Sequence, residues 1–311
     1  MSGVPIGLAH TPEFVAQVSM LARHGSSFHF ASHLLGACHG QRATRLYAFC
    51  RRVDDLVDEA SDLQAAARAL DALEVALRTG VGGPAWLTDL RKLQAETGLS
   101  HRPLLDLIEG VRRDLGEVAF QSEEDVIAYA FQVAGSVGLM MCAVLDVRET
   151  CGYPFAIDLG IAMQLTNIAR DVGADARLGR RYLPAAWVGG ASAADIRTPN
   201  AALQTQLRAA TRRLLELAER YYLSGEAGLG FLPPRARLAI LTAARVYRGI
   251  GACIAQSGFR SWDQRAVVSK SHKIGLAAGA LITFVARPAL HSRRAIHNVE
   301  LHRALHALWS A

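Results

Sequence analysis

The chain predicts an all-α protein of one domain, and three observations predict it. Apolar residues recur with a period near 3.6 in ten segments, sustained period-2 alternation is absent, and the Gly/Pro-rich breaks are too short to join separate domains. At 311 residues with 51% hydrophobic content, the chain can bury a sizeable core.

The segments run in order 13–36, 41–60, 62–79, 85–97, 102–115, 123–146, 154–176, 201–225, 234–257 and 271–286, each rich in the helix formers Ala, Leu and Arg. Gly80-Val81-Gly82-Gly83-Pro84 ends the third. Ser122-Glu123-Glu124-Asp125 reads as the cap that starts the sixth. Gly189-Gly190-Ala191-Ser192 and Thr198-Pro199-Asn200 separate the seventh from the eighth, and Pro233-Pro234 opens the ninth. The tenth holds the longest apolar run, 274–286, of 13 residues; a bilayer span needs about 20. The run reads first as a buried core helix, and second, because Lys270, Lys273 and Arg287 flank it, as a helix lying on a membrane surface. The flanks, 1–12 and 288–311, read as tails around a domain of 13–287.

The second and seventh segments carry acids where a buried helix ordinarily has none. In the second, Tyr47, Arg51, Asp54 and Asp58 share one stripe, with Asp55 beside it, while Leu46, Phe49, Cys50, Val53, Leu56 and Val57 cover the flanks. In the seventh, Gln164, Asn167, Asp171 and Asp175 align at i, i+3, i+7 and i+11. Only amide and carboxylate oxygens point that way, which suits a hard cation. Either stripe alone would read as the solvent face of an amphipathic helix. The i, i+4 Glu/Lys pairing common on such faces is lacking, however, and Arg51, Arg52, Arg170, Arg177, Arg180 and Arg181 sit beside the acids. Oxygen ligands for metal combined with guanidinium for phosphate point to a magnesium-diphosphate site.

Composition excludes several other classes. The net charge is +6, but the basic residues are almost all Arg and are scattered rather than gathered into a tract with interleaved aromatics, so nucleic acid is not the expected partner. Five cysteines without a C-x-x-C pattern indicate neither a disulfide framework nor a zinc site, in keeping with a cytoplasmic location. No secretory signal is visible in residues 1–12. The pairs His29/His33 and His302/His306 have i, i+4 spacing but no accompanying Glu, and read as structural.

Four ordered motifs now carry a resemblance: Gly25-Ser26-Ser27-Phe28; Leu46-Tyr47-Ala48-Phe49-Cys50-Arg51-Arg52-Val53-Asp54-Asp55-Leu56-Val57-Asp58; Val133-Ala134-Gly135-Ser136-Val137-Gly138; and Gln164-Leu165-Thr166-Asn167-Ile168-Ala169-Arg170-Asp171-Val172-Gly173-Ala174-Asp175. With Gly179-Arg180-Arg181-Tyr182-Leu183-Pro184 following, the chain resembles the squalene and phytoene synthase family, whose members join two allylic diphosphates head to head. The third motif and the stretch Arg265-Ala266-Val267-Val268-Ser269-Lys270 are most similar to the bacterial phytoene synthases.

The resemblance implies an isoprenoid synthase-type helical bundle around a central cavity. It implies Asp54, Asp58, Asn167, Asp171 and Asp175 as ligands of Mg²⁺, or of Mn²⁺ in its place, with Asp55 in support. His24, Ser27, Phe28, Arg51, Gln164, Arg170, Arg181 and Tyr247 would position prenyl diphosphates, and Tyr47 and Tyr129 would stand near the developing cation. The implied reaction condenses two geranylgeranyl diphosphates through a cyclopropylcarbinyl diphosphate to phytoene, without nicotinamide; the cysteine pattern and the basic-flanked run 274–286 set the expected location in the cytoplasm, in peripheral contact with the inner face of the membrane. Two alternatives stand beside it: a farnesyl diphosphate-using enzyme making presqualene diphosphate, squalene or a C30 dehydrosqualene, and a non-catalytic helical assembly factor. Phe131, where many relatives carry Tyr, and Gly36-Ala37-Cys38-His39-Gly40-Gln41, without the usual Pro and Arg, depart from the pattern.

Overall fold

A computed structural model describes residues 12–24 and 31–309, and among these the regular structure is helical, with one isolated bridge between Ala119 and Arg181. The long elements are α1 (Pro12–His24), α2 (Ala37–Asp58), α3 (Leu63–Thr79), α4 (Leu87–Thr97), α5 (His101–Arg112), α6 (Glu123–Val144), α7 (Tyr153–Arg177), α8 (Ala193–Arg197), α9 (Ala201–Ala227), α10 (Pro234–Gln256) and α11 (Lys270–Ala286). The expected cap at the head of α6 is present: Ser122 Oγ accepts from the Asp125 amide at 3.1 Å, and Asp125 Oδ2 accepts from the Ser122 amide at 3.0 Å. Pro154 in the first turn of α7 removes an amide that would have had no helical partner.

Two features within the periodic segments were not visible in the periodicity. The first segment does not continue to residue 36; α2 begins after Gly36, whose φ of 80° is a left-handed backbone that glycine adopts without strain. Inside α6, residues Phe131–Gly135 form a π turn, a local widening that shifts the register of the side chains after it.

α7 is the axis of the molecule, packed against α6, α9 and α10. Its approach to α6 is set by glycine: a Cβ on Gly138 would lie 2.1 Å from the Ala156 carbonyl oxygen, and one on Gly160 would lie 2.2 Å from that of Ala134. No real side-chain carbon tolerates such contacts, so the two backbones meet only because both positions lack one. Two apolar cores result, one around α7 and α9, the other around α2, α3, α4 and α5. α6 and α10 run from one to the other, contributing Tyr129, Phe131 and Ala243 to the first and Met140, Val144 and Ala239 to the second. Both are long and apolar enough to cross a membrane by length and composition, but roughly half of each is buried inside the fold, as befits core helices.

The apolar run 274–286 departs from the expected burial. It forms α11, of which only Ala280 is buried. One edge of the helix meets α10, where Leu276 lies against Gly249 and Ala280 joins Leu229, Leu241 and Leu290. No element among the described residues buries the rest.

Residues 288–309, a segment whose role its composition did not reveal, pack onto α7. Asp158, wholly buried on α7, accepts from His302 Nε2 at 2.7 Å, His297 Nε2 at 2.8 Å and Ser224 Oγ at 2.5 Å, and Tyr221 donates its hydroxyl to the Leu301 carbonyl at 2.7 Å. His302 thus has the structural role its spacing suggested. Asp158→Ala strands three donors at once and is expected to cost about 3–5 kcal/mol, read as a fall in unfolding midpoint with kcat little changed.

Candidate active site

α2 and α7 face each other across two adjoining hollows. The smaller, about 200 Å³, is lined by Asp54, Asp58, Asp114, Asp171 and Asp175 together with Gln164, Asn167, Arg180, Tyr129 and Tyr182. The larger, about 570 Å³, shares Asp54, Gln164 and Asn167 with it and extends between apolar walls that include Leu46, Met141, Phe155 and Met163. A polar pocket therefore opens directly into a greasy chamber. α2 supplies Tyr47, Arg51, Asp54 and Asp58 because its polar stripe turns inward; α7 supplies Gln164, Asn167, Asp171 and Asp175 for the same reason.

Electrostatics in the small pocket are strained by like charges. Burial, followed by the neighbouring Asp58, pushes the Asp54 carboxyl up to about 7. Burial, followed by Asp171, pushes Asp175 up to about 8. For Asp171 burial acts upward too, but Arg170 and Arg265 outweigh it and hold the carboxyl below its ordinary range. Arg170 Nε donates to Asp171 at 2.9 Å and Arg265 Nε at 2.6 Å. Oxygen donors that repel one another when ionised, and that lie on two facing helices, fit a divalent hard cation. Asn167 adds an independent sign. Its Nδ2 donates to Gln164 at 3.1 Å, but its buried Oδ1 has no hydrogen-bond partner among the described residues, as a ligand oxygen would.

Asp114, in the turn after α5, also belongs to the pocket. Tyr129 and Tyr182 each donate a hydroxyl to it at 2.8 Å, their rings stacked with centroids 5.0 Å apart. Burial raises its carboxyl above the usual range despite these donors. Only the chain reversal that brings the turn after α5 beside the loop after α7 creates this trio, so no spacing rule announced it.

Two expected site residues are placed elsewhere. Arg181, expected at a diphosphate, is turned into the protein: its guanidinium donates to the carbonyls of Phe120 at 2.7 Å and Leu183 at 2.5 Å, and its backbone amide donates to that of Val118 at 2.7 Å. The bridge with Ala119 fixes this orientation, and alternation along the extended backbone turns the adjacent Arg180 into the pocket, where it donates to Asp58 at 3.0 Å. Asp55 lines neither hollow and pairs instead with Arg51 one turn back. Tyr47, Arg51, Arg170 and Tyr247 all line the large chamber. Ser27 and Phe28 lie outside the described residues, as does the side chain of His24.

The neighbouring arginines separate by measurement. Arg180→Ala is expected to raise the KM for a diphosphate substrate about 10- to 100-fold, the loss of a hydrogen bond to a charged group, with the unfolding midpoint nearly unchanged. Arg181→Ala is expected to do the reverse, costing about 1–3 kcal/mol of stability by leaving buried carbonyls unpaired.

The squalene/phytoene synthase family model matches residues 21–272. A 15-cis-phytoene synthase from Enterobacter agglomerans is 38% identical over 285 residues, covering 86% of this chain and 95% of that protein. One from Paracoccus is 38% identical over 268 residues, covering 82% and 86%. Among solved structures, a dehydrosqualene synthase crystallised with a ligand aligns with a TM-score of 0.76 at 28% identity, over 88% of this chain and 97% of that one.

Proposed function

Because the chain belongs to the squalene/phytoene synthase family, we propose that its two hollows are the diphosphate and prenyl sites of a phytoene synthase, a prenyltransferase of isoprenoid and carotenoid biosynthesis. The observation that carries this reading is the continuity of the acid pocket with the apolar chamber. A diphosphate ionised in the first leaves its allylic cation in the second, away from water.

Asp54, Asp58, Asn167, Asp171 and Asp175 would hold Mg²⁺, which, when bound with diphosphate, withdraws charge from the leaving oxygen. Arg51, Arg170 and Arg180 present guanidinium groups to the diphosphates, and Gln164 an amide. In the first step one geranylgeranyl diphosphate loses its diphosphate, and the resulting allylic cation is attacked by the alkene of the second. Loss of a proton closes the cyclopropane of the cyclopropylcarbinyl diphosphate. In the second step that intermediate loses its own diphosphate, rearranges and gives up one more proton, yielding phytoene; the electrons balance without a reductant, so no nicotinamide is needed. Tyr47 and Tyr247, lining the chamber, offer π faces to the cation. Burial lifts both phenols to about 12, so they remain neutral and keep their protons. The Tyr129–Asp114–Tyr182 trio holds one wall of the pocket rigid.

The enzyme works in the cytoplasm, which keeps its five free thiols reduced, and at the inner face of the membrane. The test is incubation of purified protein and Mg²⁺ with geranylgeranyl or farnesyl diphosphate, with and without reduced nicotinamide, followed by mass analysis. Phytoene from the longer substrate, independent of nicotinamide, is expected. Turnover of only the shorter one would reassign the protein to the squalene or dehydrosqualene branch.

A further inference from the structure

We propose that the outer face of α11 is a membrane-docking surface that seats the mouth of the chamber on an anionic phospholipid bilayer. The inference deepens, and rests on, the phytoene synthase reading. On α11 the side chains of Ile274, Leu281, Ile282 and Val285 are 62%, 51%, 69% and 75% exposed. Their spacing, with Ala278 between, places them on one side of the helix. Val267, just before the helix, is 74% exposed and lines the chamber, as do Arg265, Ala266 and Lys273. The exposed apolar face is thus continuous with the chamber's rim.

Length decides the mode of contact. Seventeen residues make a helix about 25 Å long, too short to cross a bilayer once tilted and suited to lying in its surface. Charge decides the lipid. From Gln264 to Val299 the sequence holds six Lys or Arg and no Asp or Glu, of which Arg265 and Arg293 pair with Asp171 and Glu149. Lys270 and Lys273 stand at one end of α11 and Arg287 at the other, the arrangement that draws an apolar helix to anionic headgroups.

The same charge argues against a second copy of this chain as the occupant. Two such faces meeting across a two-fold axis would oppose like charges around an apolar patch. The reaction adds its own requirement. Two 20-carbon tails must enter and a 40-carbon hydrocarbon must leave, and a route from chamber to bilayer along Val267 and α11 keeps each out of water throughout.

Flotation of the purified full-length protein with phosphatidylcholine vesicles, with and without phosphatidylglycerol, tests the surface. The wild type is expected to float with the anionic vesicles and to release as salt rises. The double variant Ile282→Glu/Val285→Glu is expected to partition at least about 10-fold less, with an unchanged circular dichroism spectrum and undiminished turnover of substrate presented in detergent micelles. Wild-type protein that stays unbound, or a variant that floats as well as wild type, overturns the proposal. So does sedimentation showing a wild-type dimer that the variant dissolves, since the face would then be a contact between copies. Absence of product in micelles from a wild type that does float would defeat the enzymatic reading and leave the docking surface standing.

Discussion

Asp54→Ala and Asp171→Ala are each expected to lower kcat by on the order of 10³-fold or more, the scale seen when one pre-set electrostatic group of an active site is deleted. The two acids reach the pocket from opposite helices, and a cation gripping diphosphate between them needs both walls. Far-UV circular dichroism should stay helical, because neither side chain holds the helices together. Asp171→Ala does release Arg170 and Arg265, so its KM is expected to change as well. Asp55 is the internal comparison: it pairs with Arg51 and lines neither hollow. Asp55→Ala is expected to cost only about 10-fold, through a loosened Arg51. An Asp55 variant as dead as the Asp54 variant would show that the wrong member of the adjacent pair had been assigned to the pocket.

The second large effect concerns the metal-free protein. Asp54 and Asp175 are held at about 7 and about 8, above the unfolded value near 3.9. Between those values the folded state binds more protons than the unfolded one, so stability falls as pH rises. The loss from these two groups begins near pH 4 and is complete slightly above pH 8. In the presence of chelator, the unfolding midpoint is therefore expected to decline from pH 5 to pH 8, and less steeply in Asp54→Asn/Asp175→Asn. Mg²⁺ with inorganic diphosphate should flatten the decline and raise the midpoint at pH 8, by mass action on the folded state. Equal slopes for wild type and the double variant would remove charge crowding as the pocket's defining property.

How much was legible follows from which signals are local. Periodicity found the helices because burial of one face imposes it directly. It missed the stop before Gly36 and the π turn at Phe131–Gly135, where backbone geometry changes without a change in hydrophobic pattern. Asp54, Asp58, Asn167, Asp171 and Asp175 could be singled out because each set sits on one helix, where spacing translates into direction. Arg180 and Arg181 could not be told apart, since their directions depend on an extended segment paired with Ala119. Asp114 carries no local signal for the same reason: its partners Tyr129 and Tyr182 lie 15 and 68 positions away.

By itself, then, the order of residues determined the helical class, the two acid-bearing stripes and the family, all properties of short-range spacing and residue type. Tertiary structure alone decided that the stripes face one another, that glycines at 138 and 160 bring α6 and α7 into backbone contact, that Asp158 ties down the C-terminal segment, and that α11 keeps its apolar side outward. An apolar helix reads the same whether protein or lipid covers it, because hydrophobic burial is indifferent to the chemical source of the cover; only the packed molecule reveals which faces were left for something else.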